Sequence, residues 1–222
     1  MEMPTIPLTI EGFLPVIFSG LGMFFVARLI AQLDRHCGQL ASLGFLLVLL
    51  GNLSNALWKL TLMRTELHIP VLHHMQWILL TPGLVLMAWA TWKTFHSGPS
   101  GTPVWVVPVI VIVAGCGAAA VSALSKGGRR WFFILLGLMI VAQAATVILL
   151  LWQAWRRGLS MAVSLLCFTL VTIGVQSALA LRHEQSVIWQ WIEQINSTLA
   201  WAAFAYAAWQ LEQSVVRKRN EA

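Results

Sequence analysis

Seven apolar runs, each long enough to cross a bilayer as a helix, constrain this chain more than any other feature. They are Gly12–Leu33, Leu40–Leu62, Val71–Trp92, Val104–Leu124, Trp131–Trp152, Leu159–Leu181 and Val187–Leu211. A helix rises about 1.5 Å per residue, so ~20 apolar residues span the hydrocarbon core. The runs are continuous rather than alternating, which argues against a strand barrel. Short turn and charge signals separate them: Asp34-Arg35-His36, Arg64-Thr65-Glu66, Ser97-Gly98-Pro99-Ser100-Gly101, Lys126-Gly127-Gly128-Arg129-Arg130, Arg156-Arg157-Gly158 and Arg182-His183-Glu184. Such breaks hold no soluble domain. Charged residues are only 10% of the chain, too few to coat a soluble fold of this length. The expected fold class is all-α: one seven-transmembrane-helix bundle occupying residues 1–222.

The first run reads as a span rather than a cleaved signal, because Glu2 and Glu11 stand where a basic front end would be. Lys and Arg then set the orientation. Arg28, Arg35, Lys93, Arg156, Arg157 and the cluster Arg217-Lys218-Arg219 fall on the side of the C-terminus. Lys59, Arg64, Lys126, Arg129, Arg130 and Arg182 fall on the other side, diluted by Glu2, Glu11, Glu66 and Glu184. The expectation is a multi-pass protein of the plasma (inner) membrane with its N-terminus outside and its C-terminus in the cytoplasm. The net charge of +6 is then an orientation signal and not a nucleic-acid footprint. Cys37, Cys116 and Cys167 are too scattered for a disulfide framework or a zinc motif, and the two mid-helix cysteines read as packed small residues.

Polar groups are costly in hydrocarbon, so their positions are informative. Asn52, Ser54, Asn55 and Lys59 lie in the outer half of the second run, and His73, His74 and Gln76 in the outer half of the third. Gln176 and Ser177 end the sixth run, and Gln190, Glu193, Gln194, Asn196 and Ser197 open the seventh. The cytoplasmic half is nearly bare, as in Leu84–Ala90 and Leu199–Ala208. The pattern suggests an outward-facing polar cavity, set against the plainer reading of interhelical hydrogen bonds. Glu193 is expected to face the interior, with Lys59 as its partner by depth or snorkelling to the interface.

The third run reads His73-His74-Met75-Gln76-Trp77-Ile78-Leu79-Leu80-Thr81-Pro82-Gly83-Leu84. It resembles the third helix of microbial rhodopsins, an Arg-Tyr-x-Asp-Trp-x-x-Thr-x-Pro type segment. Trp77 and Pro82 match in identity and spacing, and Thr81 matches a threonine often found before that proline. A second likeness lies at the fourth-to-fifth turn, in Ser122-Ala123-Leu124-Ser125-Lys126, Arg129-Arg130 and Trp131-Phe132-Phe133. The resemblance implies a microbial-rhodopsin-like bundle.

The same resemblance shows what is missing. The family binds retinal as a Schiff base on a lysine in the seventh helix, four residues after an aspartate. No lysine occurs between Val187 and Gln213. Two registers fit, Asn196 with Ala200 or Glu193 with Ser197, and neither offers an amine. The first is preferred because it also neutralises the second counterion. Gln76 stands at the primary counterion, His73 at the arginine, His74 at the tyrosine and Met87 at the proton donor. Without a buried cation, buried carboxylates are a desolvation cost. The sixth helix lacks the family's pocket Trp and Pro around Thr172-Ile173-Gly174.

Covalent retinal is therefore not expected, and no cofactor is implied. The expected function is a non-photoactive small-ligand binding or sensing protein. Its candidate ligand-binding residues are Asn52, Asn55, His73, Gln76, Trp77, Thr81, Glu193, Asn196 and Ala200. The lipid bilayer is its first partner; a signalling protein would carry the output, and a homo-oligomer is compatible. A transporter of a small solute or proton would use the same groups. Noncovalent retinoid or carotenoid binding would centre on Trp77, since most of the twelve tryptophans lie near helix ends, where aromatic belts explain them. A metal site would draw on His73, His74, His183 and Glu193, although adjacent histidines on a helix point ~100° apart. His36, His68 and His96 read as solvated. No nucleophile–base constellation suggests an enzyme.

Overall fold

The computed structural model describes residues 11–65, 70–96, 103–126, 130–180 and 187–220. They form seven helices: α1 (Phe13–Leu33), α2 (Arg35–Thr65), α3 (Pro70–Phe95), α4 (Val106–Lys126), α5 (Arg130–Arg156), α6 (Ser160–Ala180) and α7 (Val187–Asn220). Among the described residues, α1 to α6 are long and apolar enough to cross a membrane. The chain is thus an all-helical membrane protein. α7 falls short of that measure because Gln190, Glu193, Gln194, Asn196 and Ser197 crowd its first turns and Gln210, Glu212 and Gln213 close the apolar stretch that follows.

Helices α1, α2, α3, α5, α6 and α7 pack in a ring, each against the next, and α7 closes on α1. α4 lies outside, against α5 and the edge of α3. It leaves Val109, Ile110, Val113, Val121 and Leu124 exposed, an apolar surface suited to lipid. The face where α1 begins is called the N-face below, and the opposite one the C-face.

The turns explain why the helices stop where they do. Asp34 alone separates α1 from α2. Its extended backbone (φ −148°, ψ 115°) ends α1, and its N–H donates to the Ile30 carbonyl at 2.8 Å. Its Oδ1 then accepts from the His36 and Cys37 amides at 2.8 and 3.2 Å, an N-cap that starts α2 at once. The expected break at Asp34-Arg35-His36 is thus a single residue. So tight a reversal presses Gly38 onto α1, and a Cβ there would lie 2.5 Å from the Ala31 Cα. At the C-face turn between α5 and α6 Gly158 has φ 70°, and Leu159 and Gly158 donate to the Ala154 and Trp155 carbonyls at 3.0 Å each. That is a Schellman ending, which favours glycine.

Backbone approach also sets the α2–α3 seam. A Cβ on Gly44 would meet the Gly83 carbonyl oxygen at 2.8 Å, and one on Gly83 would meet that of Gly44 at 2.9 Å. Small residues at such a crossing let helices associate without a hydrophobic drive. Pro82 lies within α3 beside this contact, and the helix continues through it. The buried apolar core lies toward the C-face: Val26, Ile30, Met87, Leu150, Phe204 and Leu211 are all at most 1% exposed. Polar side-chain pairings lie at both faces.

Candidate functional site

Three helices meet at the N-face end of the α1–α7 seam. Lys59 of α2 donates from its ammonium to Gln194 Oε1 of α7 at 3.1 Å. Gln194 is 9% exposed. One turn further along α7, the Thr198 hydroxyl donates to Glu11 Oε1 at 2.5 Å. The second oxygen of that carboxylate, Oε2, is buried and has no hydrogen-bond partner among the described residues. Glu193 and Glu11 both act electrostatically on Lys59, yet no ion pair joins Lys59 to either of them. Deeper in the bundle, in the α1–α2 seam, Asn52 donates to the Ser19 hydroxyl at 2.9 Å. The result is a cation and an anion close together, each held by a neutral group.

The expected site residues do not converge there. Asn52 lies about two turns along α2 from Lys59, bonded to α1, and Asn55 is half-buried on the turn between. Asn196 faces α6 instead, donating to Gln176 Oε1 at 2.7 Å and to the Thr172 carbonyl at 3.4 Å. Such an amide pair is interhelical glue. Gln76 is half-buried where α3 meets α2. Trp77 turns to α5 and stands edge-on to Phe132, with ring centroids 4.8 Å apart. Its buried indole N–H has no hydrogen-bond partner among the described residues. Thr81 is fully buried on the same seam, its hydroxyl 3.4 Å from the Leu135 carbonyl. Ala200 is half-buried on α7. The His73 side chain lies outside the described residues, as does His183.

Several expectations change. Glu193 is exposed rather than interior, because it lies near the first turns of α7 on the side turned from the ring. Its neighbour Gln194 takes the inward position and with it Lys59, so Lys59 bonds to Gln194 rather than pairing with Glu193. Trp58 is 7% exposed, buried rather than in an aromatic belt. Cys167 is exposed rather than packed, whereas Cys37 is buried. His74 packs edge-on against Trp131 at 5.3 Å, and no group of three potential metal ligands assembles among the described residues. His96 is exposed as expected, but it is also stacked between Trp92 and Trp152, 5.5 Å from each.

The C-face is not bare either. Glu212, 1% exposed, receives Arg28 at 3.1 Å and the Gln32 amide at 3.0 Å on Oε1, and Gln213 at 3.2 Å on Oε2. Arg157 donates to the Ser214 hydroxyl at 3.0 Å, and its burial holds its guanidinium below the usual arginine range. Sequence reading passed over Glu11, Gln194, Thr198 and Glu212 as site residues for a definable reason. Glu11 and Glu212 flank the apolar runs by one residue each, at Gly12 and Leu211. The i, i+4 pairs Gln194/Thr198 and Arg28/Gln32 were the available signal, since residues so spaced share a helix face.

No protein-family model, curated protein or solved structure matches this chain.

Proposed function

We propose that this is a non-photoactive, opsin-like protein of the inner membrane that binds a small polar ligand at its outward N-face. The ligand site is the α1–α2–α7 corner, and the chain acts as the receptor or sensor for a partner protein. One observation carries this reading: the Lys59 ammonium is held by a neutral amide while the neighbouring Glu11 carboxylate keeps a buried oxygen without a hydrogen-bond partner among the described residues. Charged groups within a bundle are expensive, and ones that do not neutralise each other by contact mark a place where something else binds. The likeness to microbial rhodopsins rests on Trp77, Thr81, Pro82 and the fourth-to-fifth turn. The sequence between Val187 and Gln213 offers no lysine for retinal.

Thermal melting of the purified full chain in nanodiscs tests this. A panel of small polar solutes should contain one that raises the melting temperature in wild type and not in Glu11→Gln. No response to any solute would refute the reading. Incubation with all-trans retinal should leave no red-shifted, hydroxylamine-sensitive band; such a band would refute the opsin-like, non-photoactive part.

A transporter is favoured by a separate observation. The α1–α7 seam is polar at both ends, with Glu11 and Thr198 at one and Arg28, Gln32 and Glu212 at the other, around an apolar middle of Met23, Val26 and Phe204. Alternating access to one site would use such a closed inner end. Solute flux into proteoliposomes that Glu11→Gln abolishes would select transport; stabilisation without flux would select sensing.

A further inference from the structure

The corner between α1, α2 and α7 also restricts the kind of molecule it can hold. Gln194 and Thr198 are four residues apart on α7, so they share a face about 6 Å apart along the axis. Gln194 holds the Lys59 ammonium, and Thr198 holds the Glu11 carboxylate. The two charges are thereby held by neighbouring positions on one face of α7, with no ion pair between them among the described residues. Each has unused capacity. An ammonium has three N–H donors, of which one goes to Gln194. The carboxylate has Oε2, buried and without a hydrogen-bond partner among the described residues.

A ligand with a single charge fits this arrangement poorly. An anion that satisfies Lys59 meets the Glu11 carboxylate beside it, and a cation that satisfies Glu11 meets Lys59. Like charges at such range cost affinity where water is scarce. A molecule carrying both charges satisfies both groups: its anionic oxygens accept from Lys59 and its ammonium donates to Glu11 Oε2. We propose that the site binds a small zwitterion, with an ammonium and an anionic oxygen group a few bonds apart. This rests on the ligand-binding reading above and narrows it. The chemistry has two sources, a free amino carboxylate or the ethanolamine phosphate headgroup of a lipid.

The test uses the full chain in phosphatidylglycerol nanodiscs, which offer no zwitterion. Calorimetric titration with β-alanine should show binding at least ten-fold tighter than with acetate or methylammonium. Glu11→Gln and Lys59→Gln should each weaken β-alanine at least ten-fold while the unliganded melting temperature stays within a few degrees. In phosphatidylethanolamine nanodiscs, a β-alanine isotherm shifted to higher concentration would show that the headgroup competes for the site and is its occupant. An unshifted isotherm would identify the free solute. Acetate or methylammonium binding as tightly as β-alanine would overturn the zwitterion assignment and leave the ligand-binding reading standing. No heat from β-alanine, together with no difference in stability between the two lipids, would also overturn it. The wild-type comparison among the three solutes decides the matter even if a variant fails to fold.

Discussion

The two ends of the α1–α7 seam use the same kinds of residue to opposite effect. At the C-face, Arg28 and Glu212 meet directly at 3.1 Å, and Gln32 and Gln213 add their amides to the same carboxylate. At the N-face, Lys59 and Glu11 belong to one corner but are kept apart by Gln194 and Thr198. Charges that meet form a structural joint. Charges that are held apart leave hydrogen-bonding capacity for another molecule. The difference teaches that a buried charge by itself says little about function; what matters is whether its partner is already in place.

The contrast can be broken most directly at the joint. Glu212→Ala should lower stability by about 2 kcal/mol, since it strips Gln32 and Gln213 of their acceptor while the half-exposed Arg28 returns to solvent. Denaturant titration of the purified protein would measure it, and a negligible loss would make the C-face as open as the N-face. Asp34, also at the C-face, gives the next largest effect. Asp34→Ala should cost about 1 kcal/mol through the lost N-cap. Burial acts to raise the Asp34 carboxyl, but amide hydrogen bonds from Cys37 and His36, with the His36 charge, hold it below the usual aspartate range. Its contribution is therefore fully present above the ordinary aspartate value and is lost as pH falls through the depressed folded value. Melting curves at decreasing pH should show that loss in wild type and lack it in Asp34→Asn.

Smaller effects would sharpen the N-face. Asn52→Ala should cost about 0.6 kcal/mol, the usual worth of an interhelical hydrogen bond in a membrane bundle. A loss of several kcal/mol in the same unfolding assay would instead make the polar corner structural. Glu193→Gln should change stability by less than about 0.5 kcal/mol, because the side chain is exposed. Its effect on binding should likewise be far below that of Glu11→Gln, and equal losses would put both carboxylates in the site.

Much of the bundle was legible in the chain itself. The seven apolar runs coincide with the seven helices to within a few residues at most ends, because backbone hydrogen bonds have no alternative partner in hydrocarbon. Two boundaries moved. α2 starts at Arg35 since Asp34 both ends one helix and caps the next, and α7 continues through Arg217 to Asn220 because polar residues do not stop a helix that has left the apolar layer. The polar residues that open α7 at the N-face were also readable in the sequence, whereas the buried Glu212 network at the C-face was not.

Which of those residues meet was decided by the tertiary structure. Facing is set by helix rotation, and along α7 one residue separates the exposed Glu193 from the inward Gln194. Residues at similar depth, such as Asn196, Gln76 and Asn52, look equivalent in a list and yet lie on three different seams. Sequence determines how far into the membrane a side chain sits, because depth follows from position along a helix at a fixed rise per residue. Neighbours across the ring follow from how whole helices pack, and that depends on distant contacts such as Gly44 with Gly83 that no local pattern encodes.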